Sequence, residues 1–119
     1  MRDYTGKLDY KGKTYKLIFN LNVMESIQME YGTLEHWGEL TDGTEKGEPD
    51  AKAVIFGFTE MINEGIDIDN EENGTNTPPL TLKQVGRIIT EVGLGDATKK
   101  LNETVVESTK GLADRKSVV

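Results

Sequence analysis

The chain has 119 residues, of which 35% are hydrophobic, with no cysteine, a single histidine and a formal net charge of −7. That length suits one domain with a modest core, and zero cysteine excludes disulfides and thiolate metal sites. No run approaches the roughly 20 apolar residues of a membrane span, and the opening MRDYTGKLDY lacks the apolar heart of a signal peptide, so the expected location is a cytoplasm.

From Lys7 to Phe19 the chain reads as a tight β-hairpin turning at Lys11-Gly12. A two-residue turn there sets Tyr10 opposite Lys13, Asp9 opposite Thr14 and Leu8 opposite Tyr15. Strand alternation then gathers Leu8, Tyr10, Tyr15, Leu17 and Phe19 on one face, with Lys7, Asp9, Thr14 and Lys16 on the other. A one-residue slip would put Leu8 opposite Lys16 and spoil the apolar face. Gly12 supplies positive φ without steric cost, whereas lysine at the first turn position is a weaker choice than Asn or Asp.

Asn22 is the expected N-cap of a first helix, with Glu25 completing a capping box. Val23, Ile27 and Tyr31, joined by Met24, make its inner stripe, and Gly32 closes it. Thr33 opens a short second helix in which Leu34, Trp37 and Leu40 recur every three residues, followed by a polar loop over Thr41–Pro49. Asp50 caps a third helix with Val54, Ile55, Phe58, Met61 and Ile62 inward, and Gly65 is its expected end. Gly57 inside this helix costs about 1 kcal/mol relative to alanine unless a neighbour packs close. Ile66–Pro79 then reads as a long acidic surface loop. Thr81 and Gln84 form a capping box for a helix over Leu82–Val92, with Leu82, Val85, Ile88, Ile89 and Val92 inward. Gly93-Leu94-Gly95 breaks the chain and Asp96 caps a last helix with a narrow stripe of Ala97, Leu101, Val105 and Leu112. Such a helix either covers the core or docks on a neighbour. The fold class is therefore α+β: an N-terminal antiparallel hairpin packed against four to five helices, one domain over residues 1–112, and a tail at 113–119.

Candidate chemistry is sparse. His36 lies in Leu34-Glu35-His36-Trp37 with no Ser or Asp in the local pattern, and a zinc site built on it would require several carboxylates, an unusual ligand set. Asp67–Gly74 approaches a calcium loop, but counting from Asp67, position 6 is Glu72 and position 12 is Pro78, where glycine and glutamate are needed. Gly93-Leu94-Gly95-Asp96 follows a helix instead of a strand and lacks a third glycine, so it reads as a helix-to-helix turn, not a phosphate cradle. Glu35 and Glu39, like Glu60 and Glu64, sit one helical turn apart, as solvated carboxylates commonly do. No catalytic residues, cofactor or metal ligands are expected, and no enzyme.

Charge is unevenly distributed: +3 over residues 1–19, −12 over 20–80 and +2 over 81–119. The cations of the hairpin stand beside a strongly acidic body, which argues against nucleic-acid binding. The plain alternative is a solvated surface, and a third is that the basic hairpin of one copy meets the acidic middle of another, head to tail.

Gly12-Lys-Thr-Tyr15-Lys-Leu17, a helix, and Met29-Glu30-Tyr31-Gly32 at its end resemble the small tail assembly chaperones of long-tailed bacteriophages. In that family a Gly-x-x-Tyr-x-Leu strand leads into such a helix. Further helices follow around an acidic loop, much like Pro79-Leu80-Thr81 to Leu94, so the resemblance spans residues 7–94. It implies a non-catalytic, non-virion protein that coats the tape-measure protein, helps recruit tail-tube subunits and self-associates into a homo-oligomer. The alternatives are a tail structural component of tube or terminator type, and a small acidic regulatory or nucleic-acid-binding protein. A chaperone for a long polymer needs an apolar patch within a charged surround. Trp37 and Leu40 beside the loop, with Leu101 and Val105 on the last helix, are the expected contacts. The plainer role for Trp37 is completing the core.

Overall fold

A computed structural model describes residues 6–118, with side chains described for residues 6–109. The fold class is as expected, α+β: a two-stranded antiparallel hairpin of β1 (Gly6–Tyr10) and β2 (Lys13–Leu17) precedes helices α1 (Leu21–Tyr31), α2 (Leu34–Asp42), α3 (Ala51–Asn73), α4 (Leu82–Val92) and α5 (Leu94–Val118). Lys11 and Gly12 take φ of 51° and 76°, the paired positive values of a type I′ turn, whose twist matches that of the strands it joins. The register is the anticipated one, Leu8 opposite Tyr15 and Asp9 opposite Thr14. Lys13, opposite Tyr10, shares the apolar face, and its ammonium lies 5.5 Å from the centroid of the Tyr15 ring. Ile18 is buried along with Leu17 and Phe19, so the chain leaving β2 is covered on both sides.

The first helix starts earlier than expected. Its cap is Asn20, whose side chain accepts from the Val23 amide at 3.2 Å, and not Asn22 with Glu25. Tertiary contact explains the shift: the Asn20 side chain also donates to Glu64 at 2.8 Å, and Asn22 to the same oxygen at 3.1 Å. Glu64, expected to face water, instead ties the start of α1 to α3. Elsewhere the caps follow local chemistry, with Thr33, Asp50 and the Thr81–Gln84 capping box all in place.

Helix α3 passes through Gly65 and ends at Gly74, so Ile66–Asn73 is helix where a loop was expected. Gly74, with φ 65°, supplies the left-handed cap. Gly65 serves a different purpose, since a Cβ there would sit 3.2 Å from the Lys16 carbonyl oxygen and 3.4 Å from Ile18. Its missing side chain lets β2 lie against the helix, joined by Ile18 N–H donating to the Met61 carbonyl at 3.3 Å. Further along, Lys16 pairs with Asp69 at 2.9 Å. Strand and helix thus run antiparallel, and the acidic last turns of α3 extend beside the basic hairpin. The remaining connection is short and pinned: Asn63 accepts from Leu80 N–H at 2.8 Å and donates to its carbonyl at 3.0 Å. Asn70 accepts from Thr77 N–H at 3.0 Å and donates to the Thr77 carbonyl at 2.9 Å.

Gly93, with φ 100°, makes the turn between the last two helices alone; α5 already begins at Leu94, so Asp96 lies in its first turn and is not its cap. Leu82 is exposed, unlike Val85, Ile88 and Ile89, because it precedes the point where α4 meets its neighbours. The α5 backbone stays helical to Val118, through the segment expected as a tail; the side chain of Leu112 lies outside those described. Helix α3 is the pole of the fold, touching β2, α1, α2, α4 and α5.

The tightest fit is between α2 and α3. Trp37 is 3% exposed, donates its indole N–H to the Ala53 carbonyl at 3.0 Å, and stacks on Phe19 with centroids 6.4 Å apart. A Cβ at Gly57 would lie 2.5 Å from Trp37 Cζ2. Gly57→Ala is therefore expected to destabilise by about 1–3 kcal/mol through overpacking, against a helix-propensity gain near 1 kcal/mol. Gly38→Ala, on a helix with open space around its Cβ, should instead stabilise by about 0.5–1 kcal/mol. Urea unfolding of both variants checks the pair.

Candidate partner-binding surface

Four side chains were expected at the contact surface, and three of them are interior. Trp37, Leu40 and Leu101 belong to the core cluster, while Val105 is half-buried at its margin. Helices α2 and α5, which carry these residues, both pack on α3 and touch each other. In this fold Trp37, Leu40 and Leu101 pack in the core, and of the four only Val105 keeps part of its surface in water.

The large apolar side chains that do face water are Leu21, Met29, Leu82, Leu94 and Val106 among the described residues. Leu21 and Met29 are 70% and 82% exposed. With Glu25 they stand at i, i+4 and i+8, a stripe on the side of α1 away from buried Val23 and Ile27. Helical spacing alone carried that signal: Met29 lies two residues from Ile27, on the opposite side of the helix. Val106 likewise falls off the Ala97–Leu101–Val105 line.

Beside α1, the loop from α2 to α3 is folded onto its own helix. Gly43 takes a left-handed conformation, Thr44 N–H donates to Asp42 Oδ1 at 2.8 Å, and Glu45 N–H donates to the Glu39 carbonyl at 3.2 Å. Glu45 is thereby carried back over α2, where its carboxylate lies 3.2 Å from His36 Nδ1. The reading of Thr41–Pro49 as a plain polar loop missed this return, which depends on backbone pairing across the turn. The stretch Asp67–Gly74, already a poor match to a calcium loop, is helical to Asn73, and that backbone fans Asp67, Asp69, Glu71 and Glu72 around its axis.

Among the ionisable groups near the start of α3, Asp50 and Tyr31 are displaced from their ordinary behaviour. The Lys46 ammonium, 2.6 Å from Asp50, and the Ala53 amide hold the Asp50 carboxyl below the usual aspartate range. Such a depressed group adds stability above its unfolded pKa of about 3.9, and that contribution disappears as pH falls through the folded value. Asp50→Asn keeps a capping side chain but removes the titration. The stability difference between wild type and Asp50→Asn, measured by urea unfolding, should accordingly shrink between about pH 4 and pH 2.

Tyr31 is the second. Burial, then the negative charges of Asp50 and Glu30, push its phenol above the ordinary value of 10.0, and it packs edge-on to Phe56 at 5.6 Å. Its buried hydroxyl finds no hydrogen-bond partner among the described residues. Removing such an orphan costs no bond, so Tyr31→Phe should be neutral or stabilising by up to about 1 kcal/mol in thermal melts.

No helix among the described residues is long and apolar enough to cross a membrane. Comparison of the chain with protein-family models, with curated proteins and with solved structures found no match in any of the three.

Proposed function

We propose that this protein is a non-catalytic tail assembly chaperone of a long-tailed bacteriophage, acting in the host cytoplasm. It binds the tape-measure protein, helps recruit tail-tube subunits and self-associates. The reading rests on the resemblance of the hairpin-then-helix segment and on one observation of this fold, the outward stripe of α1. Leu21 and Met29 stand there in water with Glu25 between them on the stripe. That arrangement suits an apolar contact made and later released: two side chains of this size bury enough surface to contribute about 3–6 kcal/mol when fully covered. Single-digit energies of that order hold a partner without locking it.

Co-expression of the untagged chain with tagged tape-measure and tail-tube proteins from the neighbouring genes tests the reading. The chain should co-purify with the tape-measure protein. Leu21→Ser/Met29→Ser should lower the recovered amount several-fold while leaving circular dichroism and melting temperature unchanged. Failure of the wild-type chain to co-purify would count against the chaperone assignment, and equal recovery of the double variant would count against the α1 stripe.

A further inference from the structure

We propose that His36, Glu39 and Glu45 together bind one borderline divalent transition-metal ion of the zinc class. His36 and Glu39 stand three residues apart on α2, on one side of the helix. Glu45 comes from the following loop, drawn back by its amide donating to the Glu39 carbonyl at 3.2 Å. One ligand atom from each of the three lies within 4.8 Å of the other two, and His36 Nδ1 is 3.2 Å from Glu45 Oε1.

Nitrogen and oxygen ligands around zinc lie at about 2.0–2.2 Å, so atoms sharing one ion are within about 4 Å of each other. The remaining gap of at most about 0.8 Å is closed by rotating side chains that are partly buried, as His36 and Glu39 are, or exposed, as Glu45 is. An imidazole beside two carboxylates selects zinc, nickel or cobalt over magnesium and calcium, which prefer all-oxygen shells. Three protein ligands leave a position for water.

The local field favours a cation. Residues 33–50 carry Glu35, Glu39, Asp42, Glu45, Glu48 and Asp50 against the single cation Lys46, six negative charges to one positive. Lys46 is engaged by Asp50 at 2.6 Å, one loop position beyond Glu45. A simple His36–Glu45 hydrogen bond accounts for two of the three side chains. Glu39 is what turns the pair into a ligand set. Bound metal would fasten the loop to α2 and hold the entrance to α3. This inference does not depend on the chaperone reading.

The test uses the untagged full chain and zinc chloride, with magnesium chloride as the hard-ion comparison. His36 is the only histidine, so its ring protons report directly in an NMR titration. Calorimetry should give one zinc per chain and no heat with magnesium, and the His36 ring signals should shift in step with zinc. His36→Gln and Glu45→Gln should each weaken binding by about tenfold or more, within the range seen when metal-site partners are removed. Glu71→Gln/Glu72→Gln, at the far end of α3, should leave it unchanged. Unmoved His36 signals, equal affinity in His36→Gln, or magnesium binding as tightly as zinc would each overturn the site. Circular dichroism of the variants, whose altered side chains lie at the surface, verifies that the comparison is between folded proteins.

Discussion

The contact of Trp37 with α3 is the constraint around which the other elements are arranged. An indole is too large to lie flat on a helix carrying a side chain at every position of its inner face. Gly57 removes one side chain and opens a notch, and the ring enters it. The indole N–H must also find a partner once it leaves water, and the Ala53 carbonyl, one turn before the notch, accepts it. Ring, notch and carbonyl therefore fix α2 both along α3 and around it. Phe19 stacks on the same ring, which places the end of the hairpin and the start of α1. The cost of glycine inside α3 is offset by this close approach.

Electrostatics supports that frame without building it. Basic hairpin and acidic segment, which on sequence could have met between copies, meet within the chain at Lys16 and Asp69. The pair is more than a third exposed on both sides, so its contribution is small and screened by salt. Its value is positional: it lies beyond Gly65 on α3 and gives the acidic last turns of the helix a reason to continue beside β2. Lys11 and Lys13, over Tyr10 and Tyr15, keep the hairpin tip wet while their stems cover aromatic surface.

Features set by near neighbours in sequence were legible, and those set by distant ones were not. The hairpin register follows from parity, and the caps at Thr33, Asp50 and Thr81 from the side chain that accepts three residues on. Glycine is ambiguous by nature. Gly65 and Gly74 are identical on paper, yet one gives clearance to a strand from the other end of the chain and the other makes a left-handed cap. Asn20 and Asn22 are equally good caps until Glu64 joins the choice. The burial of three candidate contact residues was hidden for a related reason: Trp37, Leu40 and Leu101 lie on short or narrow apolar stripes, and only the packing of α2 and α5 on α3 reveals that all three face inward. The approach of Glu45 to His36 depended on a loop path that composition does not encode.

The alliance of β2 with the second half of α3 bears on how the polypeptide emerges during translation. An isolated two-stranded hairpin is marginal in water, and here the surface that steadies it, around Met61, Gly65 and Asp69, is made 43 to 53 residues later. At about 5–20 residues per second the ribosome needs several seconds to deliver it. Throughout that interval Leu17 and Ile18 lack their cover, and the nascent N-terminal segment is open to capture by other proteins.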